Sequence, residues 1–206
     1  MEHVPQSPYL RALGEQRMQL HPALRTYFSA VPRGSVGIGE GVFKRIGTPR
    51  RWLWPFLRRM QRNGVVYGGW HENVPFTVRN RTIAGKALSL RTLQLPDGDW
   101  VMKDAVSARP RGALVDQLGD PVTLSVSFTA SVEDGAYCLR SGSLALRLGR
   151  LRVKVPRFIA PVVRLRESAE KQAGRQRVSL TVDMPVIGRL YEYEGVFGYR
   201  VEEDPA

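Results

Sequence analysis

Val122-Thr123-Leu124-Ser125-Val126-Ser127-Phe128-Thr129-Ala130 is the stretch whose reading decides the fold. Val122, Leu124, Val126, Phe128 and Ala130 alternate with hydroxyl-bearing residues. Successive side chains of a strand point to opposite faces, so this is a strand with one oily face and one polar face. Glu133-Asp134-Gly135 supplies a turn. Tyr137 and Leu139, then Leu144, Leu146 and Leu148, bring the chain back with the same alternation. The pattern recurs at Leu151, Val153 and Val155, at Val163 and Leu165, and at Val178, Leu180, Val182 and Met184. It closes the chain at Tyr191, Tyr193, Phe197, Tyr199 and Val201, across Gly195.

Upstream, Val65–Tyr67 reads as a short strand, and Val74, Phe76 and Val78 share one side of another. Leu88 and Leu90 fall out of phase with Leu93 and Leu95, which predicts a bulge. Pro96-Asp97-Gly98-Asp99 predicts the turn into Trp100, Met102 and Val106. Asp104 shares the phase of these apolar residues. Residues 8–29 read as two short helices or one bent at Pro22, with Ser7-Pro8 as a cap-then-proline start. Gly37 to Ile46 reads as a glycine-rich strand. Its Gly37-x-Gly39-x-Gly41 lacks the spacing of a dinucleotide fingerprint and the Gly-Lys-Ser/Thr ending of a phosphate loop.

Between that strand and the sheet lies a cationic amphipathic helix over residues 49–63. Thr48 can cap its first turn, Pro49 suits the first helical position, and Asn63-Gly64 stops it. At about 100° per residue, Trp52, Leu53, Phe56, Leu57 and Met60 fall in one arc of roughly 140°. Arg50, Arg51, Arg58, Arg59 and Arg62 take the rest, with Trp54 among them. Pro55 predicts a kink. The helix reads as an ordinary cover on the sheet, as a surface contact, through these five arginines and Trp54, for anionic lipid, or as a phosphate or nucleic-acid contact.

The expected fold class is α+β, in one domain over residues 1–206. N-terminal helices (8–29), a strand (36–47) and the Arg/Trp helix (49–63) precede an antiparallel sheet (65–201). The sheet is a strongly curved one or a barrel of seven to nine strands, lipocalin-like or helix-grip-like in general shape. A sheet of this size has an inside, which is either covered by helices or left as an apolar cavity.

Composition narrows the partners. The 206 residues carry a net charge of +12, mostly from arginine, and a pI near 10.5. That favours anionic partners, but the cations are spread along the chain and form no compact tract. A single cysteine, Cys138, excludes an intrachain disulfide and a zinc cluster. The three histidines show no metal-ligand spacing, and no metal or cofactor is expected. The N-terminus has no apolar leader segment, and no run reaches the about 20 apolar residues that span a bilayer. A cytoplasmic protein, free or peripheral to the membrane, is the expectation.

Ordered motifs give a resemblance. Leu20-His21-Pro22-Ala23-Leu24 is followed by Gly39-x-Gly41-x-x-x-Arg45 with Thr48-Pro49, and by Val74-Pro75-Phe76. Leu151-Arg152-Val153-Lys154-Val155-Pro156-Arg157 with Ala160-Pro161 comes next, then Pro185-x-x-Gly188 with Tyr191-x-Tyr193-x-Gly195. From about Tyr9 to Val201 the chain resembles the bacterial family catalogued as domain of unknown function 4166. The resemblance implies no established reaction. It implies relatives fused to membrane segments or to a dinucleotide-binding oxidoreductase domain, and so a membrane or metabolite setting.

For a cavity, the candidate wall is Trp52, Phe56, Phe76, Trp100, Phe128, Tyr191, Phe197 and Tyr199. Carboxylates among apolar residues are Glu40, Asp104, Glu167 and Asp183; a buried one holds a raised pKa and can act as general acid or base. Glu40, Asp104 and Tyr193 are the candidate catalytic groups, against the plainer reading of ion pairs with arginines such as Arg45 or Arg79. His21 reads as a helix cap. The leading functional expectation is binding of a lipid or other hydrophobic small molecule, at a membrane face. The alternative is an enzyme in the same cavity, a cyclase or isomerase. The third is a nucleic-acid-binding module, for which no aromatic RNA-binding motif is present.

Overall fold

The computed structural model describes residues 6–148 and 150–204. Eleven strands form one sheet. They are β1 (Ser35–Gly47), β2 (Trp70–Ile83), β3 (Lys86–Leu95), β4 (Gly98–Ala108), β5 (Ala113–Leu118), β6 (Leu124–Glu133), β7 (Ala136–Leu148), β8 (Leu151–Lys154), β9 (Val162–Ala169), β10 (Arg175–Met184) and β11 (Gly188–Glu203). All neighbours are antiparallel. β1 pairs with β2 on one side and β11 on the other, and β6 pairs with both β5 and β7, so the sheet closes. β8 pairs only with β7 and stands outside the ring, which leaves ten of the eleven strands in the barrel.

Closure removes the edges that an open sheet would expose. The barrel is larger than the expected seven to nine strands. β5 is the strand the sequence reading passes over, because its inward phase, Leu114-Asp116-Leu118, carries an acid. Val65–Tyr67, expected as a strand, is loop, with Val65 buried. The bulge expected in β3 is absent: β3 runs in unbroken register with both neighbours. Its inward phase is Ala87, Ser89, Arg91, Leu93 and Leu95, and Leu90 lies exposed outside.

The glycines of β1 have a packing cause. A Cβ on Gly37 would lie 1.7 Å from the Tyr199 hydroxyl, and one on Gly41 2.3 Å from the Val196 carbonyl oxygen and 2.4 Å from the Phe197 Cβ. Without those side chains, Phe197 and Tyr199 of β11 lie across β1. Phe43 and Phe76 stack at 3.9 Å, and Tyr193 stands 5.1 Å from Phe43. Rings therefore fill the side of the barrel nearest β1, β2 and β11.

Helices close the two ends. α1 (Pro8–Leu13) and α2 (Pro22–Phe28) are joined by a 3-10 turn, Gly14–Gln19. Ser7 Oγ accepts from Tyr9 N, and His21 Nδ1 accepts from Ala23 N, so His21 caps as expected. Phe28 stacks on Tyr137 at 4.0 Å, and Tyr27 meets Tyr199 at 4.9 Å, which seals that end. At the other end lies α3 (Trp54–Gln61), preceded by a 3-10 turn, Arg51–Leu53. The expected kink at Pro55 does not form. Pro55 sits in the first turn of α3, where its missing N–H has no partner to lose. The expected arc splits: Leu57 and Met60 are buried against the barrel, while Trp52 is 60% and Phe56 55% exposed.

The outward phase is charged. Arg45 bridges Glu192 and Glu194, Arg177 bridges Glu170 and Glu194, and Asp183 meets Arg164 and Arg189. A barrel that spans a bilayer turns apolar side chains outward and has the reverse pattern. Among the described residues no helix is long and apolar enough to cross a membrane.

Candidate functional site

Rings fill one side of the barrel, but the side under β3 to β10 is hollow. The space measures about 620 Å³, within the usual range of small-molecule sites. An eight-stranded barrel is just wide enough to be filled by its own side chains or to hold one small ligand. Ten strands give a wider ring, and these inward residues leave part of it empty. Apolar groups dominate the wall: Leu114, Val126, Phe128, Leu144, Leu165 and Leu180 are among them. Phe56 of α3 and Ile159 of the connection after β8 line the hollow and are both about half exposed, so it reaches the surface at this end of the barrel.

β7 and β9 pair only through Tyr137–Arg140 and Arg164–Glu167, then diverge. The connection over residues 155–161 lies across that split. Val155 N donates to Leu144 O, Ser141 Oγ accepts from Val163 N, and Val155, Ile159 and Pro161 line the hollow. The opening thus has one fixed jamb in the strands and another in a strap of irregular chain.

Into this apolar space project one guanidinium, Arg91, and three carboxyl groups, Asp104, Asp116 and Glu167, besides several tyrosines. Ser89 faces Asp104 directly across β3 and β4, and Arg91 and Asp116 sit one pair away on flanking strands. Glu167 comes from β9, next to Tyr137 across the strands and 4% exposed. The other three keep partial surface because they face the hollow rather than the outside. One carboxylate oxygen each of Asp104 and Asp116 is buried without a hydrogen-bond partner. Gln176 Nε2 donates to Glu167 Oε2 at 3.4 Å.

Burial sets their protonation. It raises Asp104 to about 6, opposed by the charge of Arg91 and by Ser89. Asp116 is held well above the carboxylate range, by burial first and the Asp104 charge second. Glu167 is pushed up by burial to about 8, with Arg91 opposing. Burial raises Tyr193 to about 12, again against Arg91. Burial also pulls the Arg91 guanidinium down, but Tyr193, Tyr27, Asp104 and Glu167 outweigh that and hold it above its ordinary value. The hollow therefore sets one guanidinium, Arg91, among three carboxyl groups that burial pushes toward their neutral form, Glu167 further than Asp104.

The structure sorts the expected residues. Asp104 and Tyr193 line the hollow together, as do Phe56, Trp100, Phe128 and Tyr191. Glu40 does not join them. It lies on the outer face of β1, its side chain 58% exposed, paired with Arg200 at 3.2 Å. Gly37, Gly39 and Gly41 share the inward phase with buried Phe43, and alternation puts Glu40 outside. Asp183, paired with Arg164 and Arg189, is also outside. Phe76, Phe197 and Tyr199 are packed in the ring-filled side, away from the hollow, and Trp52 stands on the surface. Trp54 is no exposed anchor: its Nε1 donates to Thr48 O, and Arg51 and Arg58 lie over its ring. Arg50 is turned into the structure, donating to Ile187 O and Arg189 O at 2.7 Å each; Arg59 and Arg62 are exposed.

Arg91 and Asp116 are functional candidates that the sequence reading misses. Their signal is an ionisable residue inside a continuous inward alternation, Ala87-Ser89-Arg91-Leu93 and Leu114-Asp116-Leu118. Among the described residues no group of His, Cys, Asp and Glu is arranged to hold a metal ion. A second depression, about 750 Å³, lies outside α3 between Arg58, Tyr67, Trp100 and Lys103. It is shallower and more polar than the hollow, and its Lys103 is already paired with Asp120. The apolar hollow with its unpartnered polar atoms is the better candidate site.

The fold and site define a closed, ten-stranded antiparallel barrel with an apolar interior cavity and buried ionisable groups. The chain belongs to the family described as domain of unknown function, DUF4166, whose model matches residues 20–197. No curated protein and no solved structure matches it.

Proposed function

We propose that this protein binds a lipid or other hydrophobic small molecule inside its barrel and exchanges it at an anionic membrane surface. The observation that carries this reading is the 620 Å³ apolar hollow that the chain's own side chains leave empty. A void lined by hydrocarbon forfeits dispersion contacts, so an apolar guest would regain them.

The surface around the opening supports the second half. By strand register, the start of α3, the β7–β8 hairpin, the 155–161 connection and the β10–β11 turn share one end of the barrel. That end carries exposed Trp52, Phe56, Leu151, Val153 and Phe158, the last 78% exposed. Val186, fully exposed at the tip of the β10–β11 turn, has φ 68, a conformation costly for a β-branched residue. Exposed Arg59, Arg62, Arg150, Arg152, Lys154 and Arg157 flank these groups. Apolar groups ringed by cations suit a bilayer surface with acidic head groups.

Native mass spectrometry of gently purified protein tests the hollow: a bound mass released on unfolding is expected, and a chain free of any guest in every preparation contradicts it. Sedimentation with vesicles tests the surface. Binding is expected to rise with the anionic lipid fraction and to fall in the Trp52→Ser, Phe158→Ser double variant; indifference to lipid charge removes the membrane half.

One observation favours a second reading, an enzyme acting on a guest in the same hollow. Asp104 and Glu167 hold their protons differently, so one carboxylate and one carboxylic acid face the same space at neutral pH. Such a pair can remove and return protons, as an isomerase or cyclase requires. Turnover of a bound guest that is lost in Asp104→Asn, with the barrel intact, would decide for it.

A further inference from the structure

Arg91 is the group in the hollow whose needs the protein does not meet. Its guanidinium carries five N–H donors in a planar fork. Among the described residues it forms no ion pair within salt-bridge distance; its one polar contact is Nη1 to the Met102 sulfur at 4.0 Å, and the Tyr193 ring lies 5.9 Å away. On the outer face, by contrast, Arg45, Arg164, Arg177 and Arg189 each meet carboxylates directly.

An asymmetry follows from the chemistry. A buried carboxyl escapes the cost of its charge by taking a proton, and burial pushes both Asp116 and Glu167 toward that state. An arginine has no such escape, because its guanidinium stays charged. Protonated carboxyls and the phenols of Tyr27 and Tyr193 add further donors around it. The polar patch therefore holds one fixed positive charge, Arg91, beside carboxyls that can shed theirs by taking a proton, inside a space otherwise walled by hydrocarbon.

We propose that Arg91 receives the anionic head of an amphipathic guest, a carboxylate or a phosphate, whose apolar tail occupies the rest of the hollow. This rests on the reading of the hollow as a binding site. A planar fork matches two oxygens of such a head at once, and the pair gains strength where water is excluded. Asp104, on the strand beside it, is the group that takes up a proton when a second negative charge arrives.

Three guests of one tail length separate the possibilities: decane sulfonate, which stays anionic at every working pH, decan-1-ol and decylammonium. Each is titrated calorimetrically below its micelle concentration. The expected result is that the sulfonate binds at least tenfold more tightly than the alcohol, and the alcohol more tightly than the ammonium. Arg91→Met removes the charge but keeps an unbranched apolar side chain; it should abolish the preference for the sulfonate over the alcohol. Arg91→Lys should retain part of the preference. Equal or tighter binding of the ammonium overturns the assignment, as does a preference that survives Arg91→Met. Alcohol binding without a head-group preference overturns the assignment alone, whereas failure of all three to bind overturns the hollow as a site as well. The wild-type series decides the matter even if a variant does not fold.

Discussion

Glu167→Gln should make the protein more stable above neutral pH, an unusual outcome for a change in a barrel interior. The carboxyl is 4% exposed, and burial raises it from 4.5 to about 8. The folded barrel thus keeps a proton that the unfolded chain has already released. A raised folded value contributes stability that is complete below the unfolded value and is lost as pH climbs through the folded one. At about 1.4 kcal/mol for each pKa unit, the loss across the window from about pH 4.5 to about pH 8 is on the order of 5 kcal/mol. Glutamine has nearly the same shape, stays neutral, and still offers an oxygen to Gln176 Nε2. Urea unfolding followed by tryptophan fluorescence at about pH 5 and about pH 8.5 measures the difference. Wild type and variant should match at the lower pH, and the variant should be more stable by several kcal/mol at the higher. A variant destabilised equally at both pH values would refute the reasoning, because it would mean that Glu167 is ionised and paired in the folded barrel.

Other perturbations follow from the same structure. Gly41→Ala places a Cβ 2.3 Å from the Val196 carbonyl oxygen; overpacking against backbone should cost about 1–3 kcal/mol in thermal or urea unfolding, and an unchanged midpoint would contradict the glycine account of β1. Leu180→Trp projects an indole into the hollow and should weaken binding of an apolar guest at least tenfold while the far-UV spectrum is kept; undiminished binding would place the guest elsewhere. Arg50→Ala removes the two donations that tie the chain before α3 to the β10–β11 turn, so amide exchange should quicken at Ile187 to Arg189 and stay unchanged in β6.

Alternation is a short-range property, and it made most of the barrel wall legible. Val126 and Phe128, Leu180 and Val182, and Tyr191 and Tyr193 point inward as their phase requires. Asp104 was legible for the same reason, as an acid in an apolar phase. The phase failed where polar residues occupy several inward positions. Ser89 and Arg91 interrupt the apolar inward side of β3, so the leucines on its two faces read as a break of phase and a bulge, and Asp116 hides β5 altogether. Glu40 failed differently: an all-glycine inward face offers no apolar phase against which to place an acid. The split of the α3 arc was not legible, since periodicity groups Trp52 with Leu57 but does not say where the barrel rim ends. Nor does any local pattern report that the rings of Phe43, Phe76 and Phe197 fill one side of the barrel and leave the other open.

The neutral fluorophore N-phenyl-naphthylamine tests the central claim most directly, since its emission rises on transfer from water to an apolar site. Titrated into the purified, delipidated protein, it should bind saturably at one equivalent and be displaced by a long-chain amphiphile. A flat titration, or a signal that never saturates and persists in Leu180→Trp, would contradict a guest-holding barrel.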